Sequence, residues 1–296
     1  MASSETNIDL ETLYSPSRWS KRMNQEQVLK KHIEFLDTKS REVKEKIPCD
    51  LDIPYGTGDC EKFSIYGTNL NDGSPLLIHI HGGYYQEKSL SYSNNGFISN
   101  IFCQNGIKTV LLGYDLSPQK SVEEILESLK VGVAKCIKYA RTVKSEAIFI
   151  SGHSVGAHAI ATILADLKKS LPEEDARLIK AIFLICGIYN LVPITKMSAN
   201  DLLNLSEQRA LQLSPALLPK ISYGSTVVYV IAAENDSPAF VEQSKEFTEK
   251  LKRDGNEVHL RCLDQVDHFD VVENLYYEDF ELTKLMLNVI NNKTDK

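Results

Sequence analysis

Gly152-His153-Ser154-Val155-Gly156 follows the apolar run Ala147-Ile148-Phe149-Ile150 and sets a serine between two glycines. Such a G-x-S-x-G stretch between strand and helix turns so sharply that the serine takes strained backbone angles and its flanking residues must be small. Beyond it, Ala157, Ala159, Ile160, Ile163 and Leu164 recur at spacings that bury a helix under a sheet. Ser154 therefore falls at a helix N-terminus, where its Oγ is expected to face solvent as a nucleophile. The plainer reading is a glycine-rich turn with an inert serine; the strand before and the helix after favour the nucleophile.

Outward from this stretch, strands alternate with helices. Toward the N-terminus, Thr109 to Gly113 reads as a strand and Val122 to Val143 as a helix, with Ser121 and Glu124 in a capping-box pattern. Phe63 to Tyr66 alternates as a strand, and Asn71-Asp72-Gly73 supplies turn chemistry before Leu76 to Ile80, which predicts an antiparallel entry hairpin. Residues 1–46 are polar with a helical stripe through Val28, Ile33, Phe35 and Leu36, and read as a segment that wraps onto the domain. Toward the C-terminus, Ala181 to Ile185, Val227 to Ala232 and Val258 to Leu263 read as strands, Val241 to Leu251 and Val271 to Ile290 as helices, and 291–296 as a frayed tail. Asp201 to Leu213 reads as an amphipathic helix, and 191–220 is where a cap could insert over the site. The pattern predicts one α/β domain over 1–296, a mostly parallel sheet covered by helices on both faces.

Composition narrows the class. A chain of 296 residues, 43% hydrophobic, supports a sizeable core. A net charge of -7 without a Lys/Arg cluster argues against a nucleic-acid partner. The apolar runs Ala181 to Ile188 and Val227 to Ala233 are too short to span a bilayer, so no membrane partner is expected. The opening Met1-Ala2-Ser3-Ser4-Glu5-Thr6 has neither a basic region nor an apolar core, and the six scattered cysteines read as free thiols. Together these predict a cytoplasmic protein with a small-molecule substrate.

In open sheets of this type reactive groups gather at the carboxyl ends of strands, with an acid and then a histidine following the serine. Asp236 stands after the Val227 to Ala233 run; Glu234, Asp264 and Asp267 are rivals, and Asp236 could instead be a solvated loop or capping carboxylate. His268 lies between the last strand and the last helix, where no other histidine falls. His81-Gly82-Gly83-Tyr84-Tyr85 ends the Leu76 to Ile80 strand, and glycines there let backbone N–H groups approach an oxyanion. Gly82, Gly83 and Val155 are the candidate donors. His79 and His81 could form an H-x-H metal pair, but no carboxylate or cysteine lies at ligand spacing, so His81 reads as a loop anchor and no metal or organic cofactor is expected.

These segments carry a family resemblance. His81-Gly82-Gly83-Tyr84-Tyr85-Gln86 resembles the HGGYWQ loop of the kynurenine formamidases (arylformamidases), and Gly152 to His158 resembles their GHSAGAH elbow. Tyr14-Ser15-Pro16-Ser17-Arg18-Trp19, Tyr114-Asp115-Leu116, Asp236-Ser237-Pro238 and Val266-Asp267-His268-Phe269-Asp270 also look like that family. The resemblance implies an α/β-hydrolase fold, hydrolysis of N-formyl-L-kynurenine to L-kynurenine and formate in tryptophan catabolism, and Ser154, Asp236 and His268 as the triad. Tyr85 replaces the family's usual tryptophan and Val155 its usual alanine. With Tyr85, Trp19 and His81 as candidate substrate contacts, the expected site is a short acyl pocket beside an aromatic leaving-group wall; the plainer reading of Tyr85 and Trp19 is an ordinary packing role. A general short-chain carboxylesterase would use the same machinery, although its loop usually has a third glycine where Tyr84 stands. A binding protein that has lost catalysis is the reading from another class, and labelling by a fluorophosphonate separates it from the enzymes.

Overall fold

Eight short runs of mostly buried residues pair into one sheet that organises the chain. The computed structural model describes residues 9–292; the outermost residues of the expected wrapping segment and tail, 1–8 and 293–296, lie outside the described residues. The strands are β1 (Cys49–Pro54), β2 (Lys62–Tyr66), β3 (Leu76–Ile80), β4 (Lys108–Leu112), β5 (Ile148–His153), β6 (Ile179–Ile185), β7 (Val227–Ala233) and β8 (Val258–Leu263), in the order β1-β2-β4-β3-β5-β6-β7-β8. β1 with β2 and β2 with β4 run antiparallel, and every other pair is parallel.

The expected hairpin between Phe63–Tyr66 and Leu76–Ile80 does not form. Every residue of β3 is buried, so this strand belongs in the middle of the sheet, where it pairs in parallel with β4 and β5. The hairpin partner of β2 is β1, whose alternating, half-exposed residues and terminal proline suit an edge.

Strand period 2 divides the core between the two faces. Ile78, Ile150, Ile182 and Val230 point one way, toward the helices Val122–Thr142, Val155–Ser170 and Pro238–Arg253. Leu77, Phe149, Phe183 and Ile231 point the other way, toward Leu36, Phe102 and Met286 of the helices Gln25–Lys46, Ser99–Gln104 and Glu281–Ile290. Each such side chain contributes roughly 1.5–3 kcal/mol relative to exposure, so the central strands are fixed from both sides. The Val122–Thr142 helix begins at the expected capping box: Ser121 Oγ accepts from Glu124 N–H at 3.3 Å, and Glu124 Oε2 accepts from Ser121 N–H at 2.8 Å.

Two expected helices are broken by side-chain bonding. In the Val271 to Ile290 stretch, a short helix Asp270–Glu273 gives way to a tight turn Asn274–Tyr276 before Glu281–Ile290. Tyr276 is drawn out by its hydroxyl bond to Glu42 Oε2 (3.0 Å), while its carbonyl accepts from Asn100 Nδ2 (3.1 Å). The Asp201 to Leu213 stretch splits into Asn200–Leu203 and Glu207–Gln212. Asn204 between them takes left-handed angles, φ 50°, which asparagine tolerates, and Asn200 brackets the turn through both polar groups of Leu205. Residues 10–22 cross the carboxyl ends of the strands as a strap, tied to the 198 region by Glu11, which accepts from the backbone N–H and Oγ of Ser198.

Candidate active site

At the end of β5 the chain turns into the Val155–Ser170 helix through Ser154, whose φ of 56° and ψ of -118° are the strained angles expected of an elbow. The close approach excludes larger neighbours: a Cβ on Gly156 would lie 2.1 Å from the Ile80 carbonyl oxygen. The turn is pinned by Ser154 N–H donating to the Ile185 carbonyl at 2.9 Å. Ser154 does not face open solvent as its sequence context suggests. It is 2% exposed and opens into a cavity of about 360 Å³ between the strap and the 197–199 segment. Tyr14, Gly83, Tyr84, Gln86, His153, Met197, His268 and Phe269 also line this cavity.

His268 and Asp236 meet behind the cavity wall. His268 Nδ1 lies 2.7 Å from Asp236 Oδ2, and both residues are buried. An ionised carboxylate only accepts, so Nδ1 carries the proton and Nε2 keeps its lone pair. The other oxygen, Asp236 Oδ1, accepts the Ser237 N–H at 2.6 Å. The rival acids are engaged elsewhere or exposed. Glu234 Oε2 accepts from Gln265 N–H at 2.8 Å, Asp264 is exposed, and Asp267 pairs with Arg22 at 2.8 Å. Arg22 also reaches Glu273 at 2.9 Å, which in turn holds His32 Nδ1 at 2.7 Å, so the strap is anchored to the segment that carries His268. Burial opposes the charge on Asp267, but bonds from Arg22 and Ser20 hold its carboxyl well below the usual range; burial and the neighbouring Asp267 charge push Asp270 up.

The glycine loop abuts the nucleophile. A Cβ on Gly82 would come within 3.0 Å of Ser154 Cβ, and Gly83, with a left-handed φ of 109°, lines the cavity itself. Val155 is the first residue of its helix, where backbone N–H groups have no intrahelical acceptor. The structure therefore brings Ser154, Asp236, His268, Gly82, Gly83 and Val155 to one place.

The three expected substrate contacts are positioned differently. Tyr85 is 1% exposed and lies beneath the elbow, off the cavity wall. His158 gives its Nε2–H to the Leu213 carbonyl at 2.8 Å, so its Nδ1 accepts from the Tyr85 hydroxyl at 2.7 Å, which also lies 2.9 Å from the Val155 carbonyl. Trp19 turns inward on the strap, its indole N–H donating to the Thr12 carbonyl at 2.9 Å. His81 stacks on Tyr114 with ring centroids 4.4 Å apart and bonds the Gly82 carbonyl at 2.8 Å. It bonds the glycine loop as the anchor its place in the sequence suggests, and lines a separate cavity of about 350 Å³. The aromatic wall of the site consists instead of Tyr14, Tyr84 and Phe269. Tyr84 is fastened to the strap by its hydroxyl, which donates to the Tyr14 carbonyl at 2.7 Å.

Burial holds several histidines neutral. It takes His79 down to about 3 and His81 and His158 to about 4, and lowers His153, whose Nε2–H donates to the His268 carbonyl at 2.8 Å. His79 Nδ1 pairs with Ser151 Oγ at 2.9 Å. Among the described residues one set combines metal-ligating types: Cys186, Asp236 and His268, with ligand atoms within 4.8 Å of one another. Two ligands of a tetrahedral zinc are more than about 3 Å apart, given bonds of ~2.0–2.2 Å. The 2.7 Å between Asp236 and His268 is a hydrogen bond, and the set does not fit that ion.

A sequence profile for the α/β hydrolase fold matches residues 77–271. The chain belongs to the α/β-hydrolase fold family, and an esterase from Pyrobaculum calidifontis shares that fold at a TM-score of 0.71 and 15% identity, covering 92% of this chain and 95% of the esterase. The kynurenine formamidase of Danio rerio is 33% identical over 286 residues, covering 95% of this chain and 96% of that protein. That of Drosophila melanogaster is 27% identical over 293 residues, covering 95% and 97%. The chain is thus a member of the kynurenine formamidase family.

Proposed function

We propose that this protein hydrolyses N-formyl-L-kynurenine to L-kynurenine and formate through a formyl-serine intermediate. The observation that carries the reading is the 2.7 Å bond between His268 Nδ1 and Asp236, which leaves His268 Nε2 as a base in the cavity that Ser154 also lines. Nε2 takes the Ser154 proton as the hydroxyl oxygen attacks the formyl carbon, and Asp236 stabilises the imidazolium. Backbone N–H groups of Val155 and of Gly82 or Gly83 bind the oxyanion, one such donor being worth ~3 kcal/mol of barrier. His268 then returns the proton to the departing arylamine nitrogen. Water, deprotonated by the same nitrogen, releases formate and restores the serine.

The substrate preference follows from the walls. Gly83 and Tyr84 share the cavity with Ser154 and are assigned to a short acyl side that suits a carbonyl bearing only hydrogen; Tyr14 and Phe269, which line the same cavity, are assigned to the flat apolar surface an aniline ring needs. The test compares kcat/KM for N-formyl-, N-acetyl- and N-butyryl-kynurenine and for an aryl acetate. A poorly accommodated methylene costs ~1–3 kcal/mol, so formyl is expected to exceed acetyl by ~10- to 200-fold. Equal rates along the series, with faster ester cleavage, would assign the site to a general esterase. A cytosolic setting is part of the proposal, supported by six free cysteines. No helix of the described residues is long and apolar enough to cross a membrane.

A further inference from the structure

Cys186 follows the last residue of β6 and has no part in the mechanism above. It is 1% exposed, its backbone sits at a left-handed φ of 47°, and its N–H donates to the Ile231 carbonyl at 2.8 Å, which fixes where the side chain points. That direction is toward the acid: Cys186 Sγ, an Asp236 oxygen and a His268 ring nitrogen lie within 4.8 Å of one another. The Asp236 carboxylate has two bonds in its own right, from Ser237 N–H at 2.6 Å and from His268 Nδ1–H at 2.7 Å, and a carboxylate offers about four lone-pair positions. Among the described residues no lysine or arginine pairs with it.

We propose that Cys186 is a positioning residue of the hydrolytic site, its thiol donating a third hydrogen bond to Asp236 so that the carboxylate is held in line with His268 Nδ1. Burial and the Asp236 charge push the thiol well above its ordinary range, so it keeps the proton it donates. The titratable groups facing this set are Tyr84, His153, Tyr189 and Asp267; Asp267 is paired with Arg22, and burial keeps both tyrosines and His153 neutral. A hydrogen bond to an ionised carboxylate stabilises its charged form and tempers its basicity. Removing it leaves a more basic, less constrained carboxylate against the imidazole. The imidazolium then persists to higher pH and the base is less well aimed.

The proposal rests on the Ser154, Asp236 and His268 reading, and the experiment separates the two. Wild type, Ser154→Ala, Cys186→Ala and Cys186→Ser are compared for the pH dependence of kcat/KM with N-formyl-L-kynurenine and for the rate of fluorophosphonate labelling. Loss of labelling in Ser154→Ala establishes the nucleophile independently of Cys186. Cys186→Ala is expected to move the acid limb of both profiles upward by about half to one pH unit and to lower kcat by about 3- to 30-fold with KM unchanged, as for a bond to a charged group. Cys186→Ser keeps a donor at the same place and is expected to restore both. Alanine and serine meet the same left-handed backbone as cysteine, and a far-UV spectrum with a melting curve verifies the fold of each variant. An acid limb that stays in place in folded Cys186→Ala, or a Cys186→Ser variant as impaired as the alanine, would overturn the assignment. If Cys186→Ala does not fold, Cys186→Gly, which suits the left-handed backbone and also lacks a donor, takes its place: a displaced limb in the glycine variant beside a wild-type limb in Cys186→Ser supports the donor role, and an unmoved limb refutes it.

Discussion

Replacing Asp236 by asparagine is the sharpest perturbation of this site because the structure dictates how the new amide must lie. Ser237 N–H, 2.6 Å from Asp236 Oδ1, demands an acceptor, so the amide oxygen takes that position. The NH2 group then falls where Oδ2 stood, 2.7 Å from His268 Nδ1. Faced by a donor, Nδ1 must accept, which moves the imidazole proton to Nε2 and leaves no lone pair toward Ser154. The fold should persist, since size and one hydrogen bond are retained. The loss is in turnover, ~10⁴-fold for a triad forced into the wrong tautomer, or about 5.4 kcal/mol at 1.36 kcal/mol per decade. Asp236 does not line the cavity, so KM should change little. Steady-state hydrolysis of N-formyl-L-kynurenine by Asp236→Asn, Glu234→Gln and Asp267→Asn measures this. A folded Asp236→Asn within ten-fold of wild type, beside a crippled Glu234→Gln, would refute the pairing.

Ser154→Ala should leave the melting temperature nearly unchanged and lower turnover by several orders of magnitude; near-wild-type activity in the folded variant removes Ser154 as nucleophile. Tyr85→Phe leaves the buried His158 Nδ1 without its donor and should cost about 1–3 kcal/mol in urea unfolding with KM unaffected; a raised KM at unchanged stability would return Tyr85 to the substrate wall. Acid should destabilise the fold. His79, His81, His153 and His158 are kept neutral below their ordinary ~6.5, so as pH falls from there the unfolded chain binds more protons. Stability then drops by about 1.4 kcal/mol per group per pH unit, and the raised Asp270, which gains its proton in the fold, offsets one such group. Melting curves at pH 7, 6 and 5 check this, and a flat series contradicts it.

The elbow and the acid-base pair were legible because each occupies a fixed place relative to a strand end. Ser154, Asp236 and His268 follow β5, β7 and β8, and in a parallel sheet those ends converge. The pairing of β2 was not legible, because local turn chemistry at Asn71-Asp72-Gly73 says nothing about which strand takes the neighbouring position. The non-alternating run Leu76 to Ile80, apolar at every position but His79, was the signal for a central strand. Alternation of Cys49, Leu51 and Ile53 with Asp50 and Asp52 likewise marked the edge strand β1. Trp19 and Tyr85 read as pocket residues on size and motif position, yet a hydroxyl or indole N–H is satisfied by whichever buried acceptor the tertiary fold supplies. Those acceptors, His158 Nδ1 and the Thr12 carbonyl, lie on other elements or an earlier turn, beyond the reach of local pattern. Cys186 gave no sequence signal because its relation to Asp236 exists only through the adjacency of β6 and β7.

The strap has a consequence for biosynthesis. Its residues emerge from the ribosome early, but what they grip is made late: Leu13 accepts from the Ser237 hydroxyl 224 positions on, and Arg22 holds Asp267 across 245 positions. At about 5–20 residues per second, the strap waits on the order of ten to fifty seconds for its docking surface to be translated. Until then the chain lacks the wall that closes the cavity over Ser154. A nascent chain stalled before residue 267 should therefore expose Tyr14 and Pro16 to proteolysis or chaperone capture and hydrolyse nothing. Its activity should appear in a single step once the last strand and the residues after it have been released.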